Sequence, residues 1–222
     1  MTFLISAGPT REFIDPVRFI SNRSTGKMGF AVAAAAVAAG HSATLVAGPV
    51  SLATPAGVRR IDVVSALDML AALEAELDAA DVLVMAAAVA DWRPATTAAS
   101  KLKKTSMAPS IPLVPNPDIL RALAPRKGSR VFVGFAAETG DPAAEASRKL
   151  SEKGLDLICA NDVTAPGAGF GVDTNVVTLI GAGGYRRQLP LMAKAEVARH
   201  IVALAEDLAR HKNSLLFPPA LL

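Results

Sequence analysis

A polar loop over residues 21–29 carries the first group of side chains that could bind an anion. Its donors, together with one base just before it, are Asn22, Arg18, Arg23 and Lys27. Its small residues, which would let a phosphate approach the backbone, are Ser24, Gly26 and Gly29. An apolar run precedes the loop and an alanine-rich segment follows it, which predicts strand, loop and helix, the geometry that presents backbone N–H groups to an anion. The alternative is an ordinary helix start with a Ser or Thr cap.

A carboxylate and three lysines form a second group. Asp91 follows the apolar run 82–90, and Lys101, Lys103 and Lys104 come soon after it. A carboxylate can hold Mg²⁺ and lysines can neutralise a polyphosphate, so together they indicate a nucleoside triphosphate. The alternative is a solvated lysine loop, with Asp91 at the end of a strand.

The elements that must position these groups alternate between strands and helices. Strands are predicted over residues 2–7, 42–47, 58–64, 82–90, 130–135 and 155–160, and helices over 27–39, 65–80, 118–123, 142–153 and 194–209. This alternation predicts an α/β fold, a Rossmann-like, doubly wound, mainly parallel sheet, with a late β-hairpin extension over about 172–190. Such sheets bind ligands at the carboxyl ends of their strands, and the predicted strands end at Gly8, Asp91, Phe135 and Asn161.

Three segments have no regular element predicted for them. Residues 12–22 form a connection that is long for an α/β unit, with apolar residues that could pack on the domain or on a second subunit. Residues 95–110 are the candidate for a mobile flap. Residues 215–222 are apolar with two prolines, and could be a loose end or one docked on a partner.

Composition excludes several classes. The net charge is +3 over 222 residues and the bases are dispersed, which argues against a nucleic-acid binder. No signal peptide or membrane span is predicted, and the single cysteine, Cys159, is interpreted as a buried structural thiol in a reducing compartment, so we expect a soluble, cytoplasmic protein. A dinucleotide oxidoreductase, or an inactive binding relative of one, remains the second hypothesis. The first turn nevertheless lacks G-x-G-x-x-G, the second strand lacks a carboxylate at its end, and no P-loop is present.

Seven stretches, in order along nearly the whole chain, resemble the phosphopantothenoylcysteine synthetase (phosphopantothenate–cysteine ligase) family of coenzyme A biosynthesis, in its bacterial CTP-dependent form. They are residues 7–12, 15–29, 86–94, 101–104, 116–119, 133–139 and 156–162. The resemblance implies one ligase domain over 1–222. In many bacteria that domain is fused behind a flavin-dependent decarboxylase, so a fused or separate decarboxylase is the implied partner. Neither that domain nor FMN is expected in this chain.

The resemblance also implies the reaction. The carboxylate of 4′-phosphopantothenate attacks the α-phosphate of CTP with Mg²⁺, giving an acyl-cytidylate and pyrophosphate. The amine of L-cysteine then displaces CMP. The eukaryotic form prefers ATP. The family is dimeric, so a homodimer is expected, with residues 12–22 and the late hairpin as contacts.

Site residues are implied by position in the matching motifs. The implied catalytic residues are Asn22 and Lys101, and the implied metal ligand is Asp91. The implied substrate-binding residues are Arg18, Asn22, Ala87, Ala88 and Asp91, and Arg18 would reach into the neighbouring subunit. The nucleotide would contact Ser24, Gly26, Gly29, Met85, Ala86, Ala87, Asp91, Lys101, Pro117, Asp118, Ile119, Leu120, Phe135, Lys149, Lys153 and Asn161. Lys101 follows a serine, in a place where the bacterial family often has an acid. Lys149 and Lys153 have the alternative of forming a solvated helix face.

Overall fold

The computed structural model describes residues 1–104, 110–138, 143–162 and 167–211. The strands are β1 (Thr2–Ala7), β2 (Arg11–Phe13), β3 (Phe19–Ser21), β4 (Ser42–Ala47), β5 (Val58–Asp62), β6 (Val82–Met85), β7 (Trp92–Pro94), β8 (Leu113–Pro115), β9 (Val131–Glu138), β10 (Leu157–Asp162), β11 (Thr174–Gly181) and β12 (Arg186–Ala193). The α-helices are α1 (Lys27–Ala38), α2 (Ala66–Glu76), α3 (Ile119–Leu123), α4 (Ala143–Glu152) and α5 (Lys194–Arg210).

Eight strands form one sheet in the order β12-β11-β10-β9-β6-β1-β4-β5. The six strands from β10 to β5 run parallel, and β11 and β12 add an antiparallel edge. The chain leaves β1 first toward β4 and later returns to β6 on its other side, so the sheet has a switch point beside β1. This confirms the predicted mainly parallel Rossmann-like fold, and it puts the ligand edge at the carboxyl ends of β1, β6 and β9.

Successive residues of the central strands point to opposite faces of the sheet, and each face is covered by its own hydrophobic core. Phe3 and Ile5 face the layer formed by α1 and α5, whereas Leu4 belongs to the core under α2, α3 and α4. Both faces of the sheet are therefore covered, which is why its strands read as continuous apolar runs rather than as an alternation.

Two glycines fix helix α1 against the sheet. Gly26, the N-cap, has a φ of 80°, a conformation that side chains with a Cβ rarely adopt. At Gly29 a Cβ would come within 2.5 Å of the Cβ of Ala7 and 2.9 Å of the carbonyl oxygen of Ser6. Gly29 therefore allows α1 to pack closely on β1. Its contacts explain this packing role and not the predicted role of letting a phosphate approach the backbone.

Several predicted boundaries are wrong, most clearly in β6. This strand ends at Met85, and the alanine-rich residues that follow leave the sheet, so Asp91 does not end a strand. Phe135 and Asn161 lie within β9 and β10, which extend further than predicted. The long connection over 12–22 contains a hairpin of β2 and β3, and a second small hairpin pairs β7 with β8.

The late hairpin is confirmed as β11 and β12, and it extends the main sheet through the pairing of β10 with β11. Residues 105–109 of the predicted flap, Pro142 at the predicted start of α4, and the apolar tail 215–222 lie outside the described residues. Cys159 is confirmed as a buried thiol on β10, and burial raises its pKa. None of the helices in the described part of the chain has the length and apolar character needed to cross a bilayer.

Candidate functional site

The larger of two adjoining cavities, of about 430 Å³, opens at the carboxyl ends of β6 and β9. It lies where the switch in strand order predicts a ligand site. Its lining comes from the chain around Asn22, from the segment after β6, from the start of α3, and from two aromatic residues. The members are Asn22, Met85, Ala87, Ala88, Val89, Ala90, Asp91, Asn116, Pro117, Asp118, Ile119, Leu120, Phe135, Lys153 and Phe170.

The segment over residues 86–91, which we call the alanine segment, is held by its backbone. The amides of Ala87 and Ala90 donate to the hydroxyls of Ser6 and Thr10, at 3.2 and 3.0 Å. The amide of Ala88 donates to the carbonyl of Gly8 at 2.9 Å. Ser6 and Thr10 are fully buried, so their hydroxyls are fixed points that shape a segment whose own side chains are mostly methyl groups.

Asn22 is bound to the same segment. Its Nδ2 donates to the carbonyl oxygens of Ala88 and Val89, at 3.0 and 3.1 Å. A flipped amide would bring its oxygen against those two carbonyls, so the contacts fix which atom is nitrogen. Both amide hydrogens are therefore engaged by the backbone, and donation to a substrate oxygen requires exchange of one of these bonds.

Helix α3 begins at the far side of the cavity. Asp118 is its N-cap, accepting from the amide of Arg121 at 3.2 Å, and it also pairs with Lys153 at 3.0 Å. Asn116 joins this side to the alanine segment, because its Nδ2 donates to the carbonyl of Ala90 at 2.8 Å and its own amide donates to the carbonyl of Asp91 at 2.8 Å. Lys153 therefore places a cation on the side of the larger cavity that is formed by the start of α3.

The smaller cavity, of about 110 Å³, lies at the N-terminus of α1 and shares Ala87, Ala88, Phe135 and Phe170 with the larger one. The remaining residues that line it are Ser24, Thr25, Gly26, Lys27, Met28, Ala86, Gly169, Asn161, Asn175 and Lys194. The first helical N–H groups have no partners within the helix, and two lysines stand beside them. The arrangement favours an anionic ligand group at this position.

Residues 167–173, which we call the 167–173 loop, close the smaller cavity. Lys194 is 6% exposed, and its ammonium donates to the carbonyls of Gly169 and Val172 at 2.7 and 2.5 Å. Thr25 donates to the carbonyl of Phe170 at 2.7 Å, and Lys27 pairs with Asp173 at 2.7 Å.

The charges around this loop affect one another's titration. Burial lowers the pKa of Lys194, and the neighbouring charge of Lys27 lowers it further. The ammonium of Lys27 in turn lowers the pKa of the Asp173 carboxyl through a hydrogen bond. The two cations that bind this loop, Lys27 and Lys194, are therefore hydrogen-bonded to its backbone carbonyls, and only Lys27 has a direct ion pair with Asp173 among the described contacts.

Residues 101–104, which we call the lysine segment, are held at Leu102. The amide of Leu102 donates to Oδ2 of Asp15 at 3.1 Å, and its carbonyl accepts from Arg18 at 2.9 Å. Asp15 is fully buried in the turn between β2 and β3, and its bonds with Arg18 and with backbone amides hold the pKa of its carboxyl far below the usual range.

Most of the predicted site residues come together. Eleven line the larger cavity: Asn22, Met85, Ala87, Ala88, Asp91, Pro117, Asp118, Ile119, Leu120, Phe135 and Lys153. The smaller cavity adds Ser24, Gly26, Ala86 and Asn161. Among the described residues, four predicted members line neither cavity: Arg18, Gly29, Lys101 and Lys149. Lys149 instead lies 3.6 Å from Glu145 on α4.

Several residues of the site were not predicted. Phe170 and Lys194 are the main ones, with Thr25, Met28, Val89, Ala90, Asn116, Gly169 and Asn175. A usable signal existed for Asn116, which stands before Pro117 and the cap of α3. Lys194 offered none, because its partners are backbone carbonyls more than twenty positions away.

The donor set was tested for a divalent cation. Within the described part of the chain, no three His, Cys, Asp or Glu side chains are grouped as a metal site. Asp91 is an exposed carboxylate on the wall of the larger cavity. One carboxylate fits Mg²⁺ that arrives with a nucleotide, because Mg²⁺ is commonly held by one or two carboxylates together with substrate phosphates.

Comparisons with known proteins agree on a family. Residues 1–208 match the DNA/pantothenate metabolism flavoprotein C-terminal domain. The coenzyme A biosynthesis bifunctional protein CoaBC of Vibrio vulnificus is 49% identical over 213 residues, which are 95% of this chain and 53% of the relative. The Bacillus subtilis protein of the same name is 50% identical over 200 residues, 90% of this chain and 49% of the relative. The chain thus spans about half the length of these curated relatives.

Solved structures give the same result. The C-terminal domain of a coenzyme A biosynthesis bifunctional protein CoaBC has a TM-score of 0.80 and 43% identity, covering 94% of this chain and 97% of that one. A Cab2 mutant, H337A, in complex with phosphopantothenate-cysteine has a TM-score of 0.77 and 18% identity, covering 96% and 89% of the two chains. At that identity the likeness concerns the fold alone.

Proposed function

The chain belongs to the DNA/pantothenate metabolism flavoprotein C-terminal domain family, and on this premise we propose that it ligates 4′-phosphopantothenate to L-cysteine. The nucleotide is CTP, the intermediate an acyl-cytidylate, and the products are 4′-phosphopantothenoylcysteine, CMP and pyrophosphate. One observation carries the proposal: Asn22, Asp91 and the start of α3 line a cavity that shares four wall residues with an anion-favouring cavity at α1. The match to CoaBC proteins gives this site its pathway, coenzyme A biosynthesis.

The first half-reaction joins two anions, so cations must offset their repulsion. The carboxylate oxygen of 4′-phosphopantothenate forms a bond to the α-phosphorus of CTP, and the bond from that phosphorus to the pyrophosphate oxygen breaks. Lys27, Lys153 and the first N–H groups of α1 stand around this space and would bind phosphate oxygens, the two lysines by exchanging their ion pairs with Asp173 and Asp118. Mg²⁺ held by Asp91 would supply further neutralisation of the phosphates.

The second half-reaction forms the amide. The cysteine amine attacks the acyl carbon, whose carbonyl oxygen gains negative charge on the way. The bond from that carbon to the phosphate oxygen of CMP then breaks, CMP leaves with the electron pair, and the amine gives up a proton to the departing phosphate. Asn22 would exchange one of its two backbone hydrogen bonds for a bond to that oxygen. The exchange costs little, because one carbonyl partner is replaced by a more negative one.

The assembly is part of the proposal. Apolar side chains are exposed on the two small hairpins, with Val17 57% and Trp92 52% accessible. We infer that this surface packs on a second copy in a homodimer, and that Arg18 reaches toward the neighbouring site from it. The relatives' name, bifunctional protein, favours a flavin-dependent decarboxylase as fused or separate partner.

The test compares nucleotides and substrates in one assay. We expect pyrophosphate release that requires CTP, Mg²⁺ and phosphopantothenate, with ATP much less effective and cysteine needed for full turnover. Release that is equally fast without phosphopantothenate would contradict the proposal. Tight NAD(P) binding without CTP binding would instead favour a dinucleotide enzyme.

Asn22→Ala sharpens this test. The variant should accumulate the acyl-cytidylate and form the amide about 10²–10³ times more slowly, the loss typical of one donor to a developing oxyanion. Gln188→Ala removes an exposed amide on β12 and serves as control. Normal amide formation by Asn22→Ala would show that its role is wrong.

A further inference from the structure

Both backbone polar groups of one residue, Leu102, fix where the lysine segment lies. Leu102 is 44% exposed and is not part of either core, so its backbone contacts are the main described fixed points. Its N–H donates to Asp15 and its carbonyl accepts from Arg18, and these two side chains also bind each other, Arg18 Nε to Asp15 Oδ2 at 3.0 Å. The backbone next to Lys101 is therefore held from both sides by an ion pair more than eighty positions away.

Asp15 is the fixed member of this pair. Its side chain is fully buried, whereas that of Arg18 is 49% exposed. Besides Leu102 and the Arg18 side chain, Asp15 Oδ1 accepts from the amides of Val17 and Arg18, at 2.8 and 2.9 Å. Every one of these donors is satisfied by one carboxylate, so removal of its charge affects both the turn and the lysine segment.

The same hairpin also carries Asn22. The turn at Asp15 leads into β3, which ends at Ser21, and Asn22 follows directly. Two further bonds dock the chain before Lys101 on this hairpin: Thr97 donates to the carbonyl of Phe13 at 3.0 Å, and the amide of Ala98 donates to the carbonyl of Ile14 at 2.9 Å. One short element therefore sets the positions of the two residues to which the resemblance assigns catalysis.

We propose that Asp15 is a positioning residue, which limits how far Lys101 can move relative to the site by anchoring the backbone of the neighbouring Leu102. The inference rests on the proposed function, in which the Lys101 ammonium meets nucleotide phosphates. Asp15 touches no substrate in this scheme. Its effect on the reaction is expected to pass through Lys101. An effect that passed through Arg18 instead would persist in the Lys101→Ala background and would count against the proposal.

A double-mutant cycle provides the test. Asp15→Asn keeps the size of the side chain and removes the charge that binds Leu102 and Arg18. We expect it to slow CTP-dependent pyrophosphate release by roughly two- to hundredfold in the wild-type background, the range of coupling between contacting residues, and to cause no further loss in Lys101→Ala. An equal loss in both backgrounds would overturn the proposal, because Asp15 would then act independently of Lys101.

Asp62→Asn is the matched control. Asp62 also pairs with an arginine, Arg60 at 2.6 Å, but it is 71% exposed and stands at the end of β5, away from the lysine segment. Its loss should leave pyrophosphate release unchanged in both backgrounds. A reduction as large as that of Asp15→Asn would point to a non-specific effect of lost charge and would also count against the proposal.

Amide hydrogen exchange gives a readout that needs no activity. In the wild-type protein the amide of Leu102 should exchange at least about tenfold more slowly than in an unstructured peptide, because it is bonded to a buried carboxylate. Asp15→Asn should remove this protection while the urea midpoint shows that the chain remains folded. An unprotected Leu102 in the wild type overturns the anchoring even if Asp15→Asn fails to fold.

The proposed function and the positioning role of Asp15 are contradicted by different results. A wild-type protein that releases no pyrophosphate with CTP disproves the proposed function, and with it the purpose of holding Lys101. An active wild type whose rate is matched by Asp15→Asn disproves only the positioning role.

Discussion

The 167–173 loop lines the smaller cavity, whereas the lysine segment lines neither cavity, and the two segments are held in opposite ways. The loop is bound at four consecutive backbone carbonyls, from Gly169 to Val172, by Thr25, Lys27 and Lys194. Among the contacts of the described residues, the lysine segment is bound at the backbone of one residue, Leu102, and its four side chains are exposed. Lys194 is thus buried against the backbone of the 167–173 loop, whereas the lysines of the lysine segment extend into solvent.

This difference indicates two kinds of lysine near the site. Lys194 is fixed within the structure, whereas Lys101 is exposed. The ammonium of Lys194 already donates to backbone carbonyls of the 167–173 loop. Its contribution is therefore to fix this wall of the smaller cavity before any ligand binds. The side chain of Lys101 is exposed, while the backbone beside it is anchored at Leu102 among the described contacts, so its ammonium can turn toward phosphates without movement of that anchor. A preformed wall and a movable charge are both needed if triphosphate is to be bound and pyrophosphate then released.

The largest expected effect is that of Lys194→Met. Methionine fills the space but donates no hydrogen bond, so the carbonyls of the 167–173 loop lose their partner. We expect the free energy of unfolding to fall by about 1–3 kcal/mol, the usual cost of buried unsatisfied polar groups, and CTP binding to weaken. Urea denaturation and calorimetric titration with CTP measure the two effects. Lys103→Met, in the lysine segment, is the control and should change stability by less than about 0.5 kcal/mol. Similar values for the two variants would remove the contrast between the regions.

Phe170→Ala should have a smaller effect, and on binding alone. Phe170 lines both cavities and is 38% exposed, so its ring is available to a ligand and contributes little to the core. We expect CTP to bind about tenfold more weakly, equivalent to roughly 1.4 kcal/mol, with the urea midpoint nearly unchanged. Leu67→Ala, an exposed apolar truncation on α2, controls for lost surface area. Unchanged affinity would show that the loop shapes the cavity without contacting the nucleotide.

The smallest effect concerns pH. Because the pKa of Lys194 is lowered by burial, the folded state holds this proton less firmly than the unfolded chain, whose reference value is 10.5. Between the lowered pKa and 10.5 the unfolded chain binds more protons, so stability rises with pH in that window. The difference in unfolding free energy between wild type and Lys194→Met should therefore increase in favour of the wild type as pH approaches 10.5. A difference that is flat or falls over this range would mean that Lys194 is not buried as described.

Sequence reasoning succeeded where one residue type determines one local geometry. The bounds of β4 were predicted correctly, because its apolar run is flanked by Gly40 and Gly48. Ser65 and Asp68 form the predicted capping box at the start of α2, with both reciprocal bonds present. The gathering of the candidate residues at one edge was also predictable, because parallel strands bring their carboxyl ends together.

It failed where tertiary contacts decide the outcome. The run from Val82 to Ala90 contains no punctuating residue, so nothing in it marks where β6 leaves the sheet; buried hydroxyls elsewhere do that. Hairpins with strands of three residues are too short for an alternation to be recognised. The role of Asp15 depends on a partner backbone amide, which every residue except proline carries.

The alanine segment receives its shape entirely from its neighbours. Its methyl side chains make almost no polar contacts, while the hydroxyls of Ser6 and Thr10 and the amides of Asn22 and Asn116 hold its backbone. A saturation mutagenesis survey would therefore score Ser6 and Thr10 as intolerant positions, although neither lines the two cavities of the candidate site. An inhibitor that bonded to this backbone would be hard to escape by point mutation, since the atoms it used belong to every amino acid.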